Sequence, residues 1–406
     1  MKFQLRCLKC DKTYPQDRYV CKCENGCSSL LRTEYQQKNL EIDDRLPGIW
    51  KYIHWLPVTT VNKKLLKQSS TFKIYQSTKL AQHLGLKQLL ICLNVYPWTK
   101  TGSFKDIEAE ITFQRALDTK EKGTPLVLSS DGNNGISFTY YSQIVKYLIF
   151  LFVTEDARKK RIWSFTKRNP YLHLYPIEGD YYDAIHLANM FGRVKGVLPE
   201  GGASNVARRD GVGTIVLEAT QQRKQIPDHF FQALGSGPGA IAAYEASLRL
   251  INDGHYGKKP IKIHGSQNFP YVPMYDAWKR KSRKIDETFQ QESAKKLIDQ
   301  TYAHVLTNRF PAYGIRGGVY DVLKKTSGEF YSVTNNEAKR AQLLFKRLEK
   351  CSIVPEAGIT VSSLLQAVEQ ETIQKDDTIL LNITGGGREE MKREKFKIAP
   401  SMHLIP

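Results

Sequence analysis

A chain of 406 residues can form two or three domains that each bury a core, and 41% apolar with 25% charged residues is ordinary globular composition. The longest apolar run, Tyr147 to Val153, falls far short of the ~20 residues a bilayer demands, which excludes a transmembrane helix. A formal charge of +19 favours anionic ligands or a solvated lysine-rich surface; the basic runs Arg158 to Arg161 and Lys279 to Lys284 lack the aromatic interleaving of a single-strand-binding groove, so nucleic acid is not an expected partner.

From Met1 to Arg6 the chain reaches charge at once, unlike a secretory leader, and the expected compartment is the cytoplasm. Five of the seven cysteines lie within the first 27 residues. Cys7 and Cys10, followed by Cys21, Cys23 and Cys27, suit a zinc ribbon in which four thiolates surround one metal. The expected ligands are Cys7, Cys10, Cys27 and one of Cys21 and Cys23, with Cys23 preferred. A ribbon that folds without metal is the alternative. Cys92 and Cys351 stand in apolar surroundings and are expected in the core.

Beyond this unit, apolar runs alternate with amphipathic stretches, the pattern of an α/β protein. Strands are predicted at 89–95, 125–128, 148–153, 171–175, 230–234, 261–264 and 378–383. Helices are predicted at 105–117, 136–147, 181–190 and 240–251. Open α/β sheets bind ligands at the carboxyl ends of their strands, so loops there can converge from distant parts of the chain.

Three such loops stand out. Thr101-Gly102-Ser103-Phe104-Lys105-Asp106 places a lysine at a helix start, where a partly unprotonated amine can form an imine with an aldehyde cofactor. Ser129-Ser130-Asp131-Gly132-Asn133-Asn134-Gly135 offers close backbone approach and amide donors. Gly235-Ser236-Gly237-Pro238-Gly239 precedes a helix and suits a phosphate cradle. It matches neither the dinucleotide fingerprint nor the P-loop. Taken singly, each loop is also compatible with an ordinary turn or cap.

Together with Asn382-Ile383-Thr384-Gly385-Gly386-Gly387, these loops resemble the pyridoxal-phosphate enzymes of fold type II, the tryptophan synthase β-like class. The stretches Leu31 to Tyr35, Gly48 to Pro57, Glu200 to Gly211, Gln267 to Met274 and Tyr313 to Asp321 narrow the resemblance to the cysteate synthases, a threonine-synthase-like branch associated with coenzyme M biosynthesis. The resemblance implies two α/β domains facing each other across pyridoxal 5′-phosphate. It implies Lys105 as the imine lysine and Asn133 beside the phenolic oxygen. Thr384 would meet the pyridine nitrogen, and Gly235, Ser236, Gly237 and Gly239 the phosphate. A hydroxyl rather than a carboxylate at that nitrogen favours elimination and replacement at the β or γ carbon.

The implied reaction is β-replacement on a phosphorylated amino acid: O-phosphoserine and sulfite would give L-cysteate and phosphate. Threonine synthase acting on O-phosphohomoserine, and a catalytically inactive binding protein of the same fold, are the rivals. Arg208, Arg209, His264, Arg309 and Arg316 are the cationic candidates for the phosphate and the sulfite. The family's Gly-Asn-Thr-Gly becomes Gly132-Asn133-Asn134-Gly135 here, which removes one hydroxyl. The expected organisation is a zinc-ribbon-like unit at 1–45, a large cofactor domain from 46–120 and 225–406, a small mobile domain at 121–224, and a homo-oligomer such as a dimer.

Overall fold

A computed structural model describes residues 1–157, 169–391 and 394. Strands β1 (Phe3–Cys7), β2 (Thr13–Pro15) and β3 (Leu31–Tyr35) make an antiparallel sheet in the order β2-β1-β3. Strands β4 (Lys73–Gln76) and β5 (Gln88–Leu93) begin a larger sheet. The chain then leaves to build a second sheet from β6 (Leu126–Ser129), β7 (Ile149–Thr154), β8 (Leu172–Ile177) and β9 (Leu198–Pro199), in the order β8-β7-β6-β9 and wholly parallel. It returns to complete the larger sheet with β10 (His229–Ala233), β11 (Lys262–Asn268), β12 (Glu329–Val333) and β13 (Thr378–Ile383). The six strands lie in the order β12-β11-β10-β13-β5-β4, parallel except for β4.

The central strands carry side chains that are buried on both faces: every residue of β10 and β13 is buried. That is why their sequences read as continuous apolar runs instead of alternating ones. In this six-stranded sheet the antiparallel edge β4 has no buried residue. Because β10, β13 and β5 are neighbours and parallel, their carboxyl ends bring together the segments that follow Ala233, Ile383 and Leu93.

Two helices frame these ends. Lys105–Asp118 has eleven buried residues, including Glu108, Glu110 and Arg115. Val206–Arg223 crosses it closely, since a Cβ on Gly211 would stand 3.0 Å from Ile111 and 3.2 Å from Ile107. Gly213 likewise lets the same helix approach Pro238–Asp253, where an added Cβ would meet Ala246 at 3.4 Å. The two glycines lower local helix propensity, and the tight packing they permit compensates.

The cysteine-rich unit is not a separate body. Phe3, Leu5, Leu31 and Tyr35 share one hydrophobic core with Trp50, Trp55, Ile107 and Leu217. Polar contacts reinforce the join: Tyr35 donates to Asp210 at 2.8 Å, and Arg115 Nη2 donates to the Arg18 carbonyl at 2.9 Å. The basic run Lys279 to Lys284 is a solvated face of ion pairs, Lys279 with Glu329 at 3.2 Å, Arg280 with Asp276 at 2.6 Å and Arg283 with Asp321 at 2.5 Å. The other basic run, Arg158 to Arg161, lies outside the described residues. No helix among the described residues is long and apolar enough to cross a membrane.

Candidate active site and metal centre

Lys105 opens its helix directly beside the end of β13. The Phe104 N–H donates to the Thr384 carbonyl at 3.1 Å, and the Gly386 N–H donates to the Gly102 carbonyl at 3.0 Å. Asp106 shapes the turn before the lysine by accepting from the Thr101 N–H at 2.8 Å and from its hydroxyl at 2.5 Å. Gly102 takes φ of +78°, and a Cβ there would stand 2.9 Å from the Gly386 carbonyl oxygen. The close approach of the two loops therefore depends on glycine.

At this junction the hydroxyls of Thr384 and Ser103 are buried and have no hydrogen-bond partner among the described residues; the Ser129 hydroxyl, at the end of β6, is in the same state. Unsatisfied buried hydroxyls are costly and uncommon, so three in the predicted ligand-binding loops mark a place built for polar company.

Lys105 Nζ lies 4.3 Å from the centre of the Phe104 ring and 2.6 Å from Glu108 Oε1. Burial lowers its pKa; Glu108 pulls the value up and Arg208 pushes it down. Glu108 is fully buried and also pairs with Arg208 Nη1 at 2.9 Å. Arg208 continues the alternation to Glu200, whose Oε1 accepts from Arg208 Nε at 2.5 Å. Burial works against the charge of Arg208, but Glu200 and Glu108 outweigh it and raise its pKa. With its amide oxygen turned to the guanidinium, Asn134 adds acceptors at 2.6 and 3.1 Å.

Asn133 reaches across to the other side of the site: its amide donates to Glu356 Oε1 at 2.8 Å and accepts from Arg388 Nη2. Gly235 to Gly239 form the turn between β10 and the helix Pro238–Asp253, with Gly237 at φ of +92°. A Cβ on Gly235 would lie 3.3 Å from Leu306 Cα, and Ser236 Oγ accepts from Asn308 at 2.6 Å. The segment 304–310 thus packs on the glycine turn. It also touches the smaller sheet's side of the molecule: Arg309 pairs with Asp180, and the Phe310 ring stands 5.1 Å from that of Tyr182.

The five cationic candidates separate clearly. Arg208 is spent on Glu108 and Glu200, and Arg209 is buried against Glu245 at 2.9 Å. His264 belongs to the core inside β11, between His229 at 2.8 Å and the Tyr331 hydroxyl at 3.0 Å, and burial holds its pKa well below the usual histidine range. Arg316 is exposed beside the cysteine-rich unit, its carbonyl accepting from the Leu30 N–H. Arg309 is different. It lies next to the Asn308–Ser236 contact, is 5% exposed, and its Nε has no partner among the described residues.

In the cysteine-rich unit, the sulfurs of Cys7, Cys10, Cys23 and Cys27 all lie within 4.8 Å of one another. Four thiolates around zinc, at the usual Zn–S bond length, stand about 3.8 Å apart, so the cluster fits a tetrahedral ion after a small contraction. Of the two cysteines left open by the sequence, it is Cys23 whose sulfur joins this cluster. Cys21 Sγ instead faces the Glu200 carbonyl at 3.6 Å, and burial pushes its thiol pKa up to about 12. The Tyr14 hydroxyl donates to Cys23 Sγ at 3.4 Å, and this contact leads in drawing the Cys23 pKa down to about 6. Metal analysis of protein prepared without added zinc should return one zinc per chain. Cys23→Ser should lower that content sharply while Cys21→Ser leaves it unchanged; the opposite ranking would reject this ligand set.

The chain's similarities to other proteins agree with this geometry. Residues 72–385 match the family model described as "Pyridoxal-phosphate dependent enzyme". The chain is 42% identical to the cysteate synthase of Methanosarcina mazei over 411 residues, covering 99% of this chain and 96% of that one. It is 40% identical over 414 residues to the cysteate synthase of Methanocella arvoryzae, with 99% and 96% covered. Among solved structures, maize serine racemase superposes with a TM-score of 0.60 at 16% identity, over 80% of this chain and 92% of that one. The processed form of a threonine deaminase from Solanum lycopersicum gives 0.57 at 14%, over 81% and 88%.

Proposed function

The chain belongs to the pyridoxal-phosphate-dependent enzymes and, within them, to the cysteate synthase family; from this we propose that it replaces the phosphate of O-phosphoserine with sulfite, giving L-cysteate and phosphate. The observation that carries the reading is the meeting of Lys105 and the Thr384 hydroxyl, unpartnered among the described residues, at adjoining strand ends, with the glycine turn 235–239 on the neighbouring strand.

These residues fit pyridoxal phosphate. Lys105 Nζ would hold its aldehyde carbon, the Thr384 hydroxyl would face its ring nitrogen, and the first N–H groups of the helix Pro238–Asp253 would hold its phosphate. Asn133 would exchange its contacts with Glu356 and Arg388 for the phenolic oxygen. When bound, the cofactor withdraws electrons from the amino acid's α carbon, which acidifies the α-proton and lets the β-substituent depart.

The protein's own part is proton handling, charge and exclusion of water. Lys105 Nζ, released as an uncharged amine, takes the α-proton and later returns it to the same carbon. Its lowered pKa suits that work, because burial disfavours the ammonium form. Glu108 accepts a hydrogen bond from the amine, and Arg208 pairs with the other oxygen of the same carboxylate. The C–O bond to phosphate breaks and a C–S bond to sulfite forms at the same carbon. Arg309 supplies positive charge for both anions, supported by its place beside the glycine turn and by its Nε, which has no partner among the described residues. Its pairing with Asp180 ties closure of the two halves to the same side chain.

Phosphate release with each phosphoamino acid tests the proposal. Release from O-phosphoserine should depend on sulfite, and O-phosphohomoserine should be turned over poorly. Release from O-phosphohomoserine alone, indifferent to sulfite, would replace this reading with threonine synthesis.

A further inference from the structure

Glu200 directly follows β9, and the two donors that reach its carbonyl both come from the cysteine-rich unit: the Tyr19 hydroxyl at 3.3 Å and the Cys21 thiol at 3.6 Å. The next residue, Gly201, takes φ of +95°, and a Cβ on it would stand 2.5 Å from Cys21 Sγ. The turn that carries Glu200 is therefore moulded against Cys21.

The segment bearing Tyr19 is itself pinned to the far end of the helix that Lys105 opens. Arg115 donates to the Arg18 carbonyl at 2.9 Å, and the Tyr19 N–H donates to Glu121 at 3.0 Å. The Lys120 N–H donates to the Asp17 carbonyl at 2.8 Å. Asn205 closes the arrangement: its amide nitrogen lies 3.1 Å from Glu200 Oε1, 3.3 Å from the Tyr19 hydroxyl and 3.1 Å from Thr112 Oγ1 on the lysine's helix. The Glu200 carboxylate grips Arg208 through two nitrogens, and Arg208 shares Glu108 with Lys105. An unbroken run of polar contacts thus joins the Tyr19 phenol to the lysine amine. Burial raises the Tyr19 pKa well above the usual phenol value, so the hydroxyl stays a donor.

We propose that Tyr19, with Cys21 behind it, is a positioning residue of the active site: it fixes Glu200 and, through Arg208 and Glu108, governs how the Lys105 amine is paired. The fifth cysteine then has a task other than metal binding, and the cysteine-rich unit is a supporting wall of the site. This deepens the reading above and rests on Lys105 as the residue that bears the cofactor. Glu108 and Glu200 favour the ammonium form of Lys105, whereas burial and Arg208 oppose it. The other titratable groups facing this run are Tyr181, near Arg208 and Glu200, and Cys21, Arg115 and Tyr147 around Tyr19. A Glu200 held less firmly supports the ammonium less, so the amine should stay uncharged to lower pH.

Tyr19→Phe removes the hydroxyl and keeps the ring. Two pH profiles of the full chain would be compared with the wild type: the rate at which the visible band of the lysine-bound cofactor appears when pyridoxal 5′-phosphate is added, and the acid limb of kcat in the loaded enzyme. Both midpoints should move to lower pH by about half a unit, the shift that partial loss of one hydrogen bond gives. Metal content should equal that of the wild type, which separates loss of the hydroxyl from loss of the cysteine cluster. Cys21→Ala, which removes the second donor to the same carbonyl, should act in the same direction. Wild-type midpoints in a folded Tyr19→Phe protein, even one with a lower melting temperature, would reduce Tyr19 to a packing role and overturn the proposal. A wild-type chain that develops no band would overturn the assignment of Lys105 first, and this proposal with it.

Discussion

Lys105→Ala should lose the visible absorbance that the lysine-bound cofactor gives the wild-type protein, and turnover should fall by about 10²–10⁴-fold or more, the range of a positioned general base. Both losses follow from one atom, since Nζ is assigned both the attachment and the proton transfer. The variant should still fold. The side chain is 19% exposed, and its removal leaves Glu108 paired with Arg208. Absorbance spectra and a thermal melt of the same preparation separate loss of attachment from loss of structure. Retention of the band in a folded Lys105→Ala protein would show that another amine holds the cofactor.

The second large effect is expected at Glu108, which joins two buried cations. Glu108→Gln removes the charge that Lys105 and Arg208 share, and breaking a buried pair on one side costs about 3–5 kcal/mol. The pH profile gives the more specific signature. Burial already lowers the Lys105 pKa and Glu108 counters it, so the neutral side chain should lower it further. An amine with a lower pKa stays uncharged to lower pH, and the acid limb of kcat should move in that direction. Stability should follow the same sign: the unfolded chain binds the proton that folded Lys105 gives up, so stability climbs as pH rises between the two pKa values, over a wider window in the variant. Glu108→Asp keeps the charge and should restore much of the wild-type profile. A stability loss with an unmoved acid limb would reduce Glu108 to a structural role.

Glu108 was legible in principle, three residues after Lys105 and therefore on the same helix face. Its partners Arg208 and Glu200 were not, because their approach depends on the glycine-mediated crossing of two helices far apart in sequence. Lys105, the glycine turn and Thr384 stood out because a parallel sheet delivers the ends of buried apolar strands to one edge, and β5, β10 and β13 read clearly as such strands; Asn133 comes from the end of β6 in the other sheet. The short edges β4 and β12 carried no comparable signal: β4 is a half-exposed Lys-Ile-Tyr-Gln, and β12 follows its helix without a strong apolar run.

Helix Val206–Arg223 is absent from the predicted elements, because Gly211 and Gly213 lower its helix propensity and its arginines interrupt the apolar pattern until tertiary packing buries them. The same blindness affected the cations. An arginine in a sequence shows its charge but not its partner: Arg208 and Arg209 prove to be held internally, while Arg309, paired with Asp180, keeps an Nε with no partner among the described residues. Cys21 and Cys23 were indistinguishable by spacing; the direction of each side chain separates them.

The central claim is tested most directly by identifying the product. Cofactor-loaded enzyme would be incubated with O-phosphoserine and sulfite, and in parallel with O-phosphohomoserine, and the amino acids identified by mass. The account predicts L-cysteate in the first reaction, in step with the phosphate released, and little threonine in the second. Threonine without cysteate would contradict it.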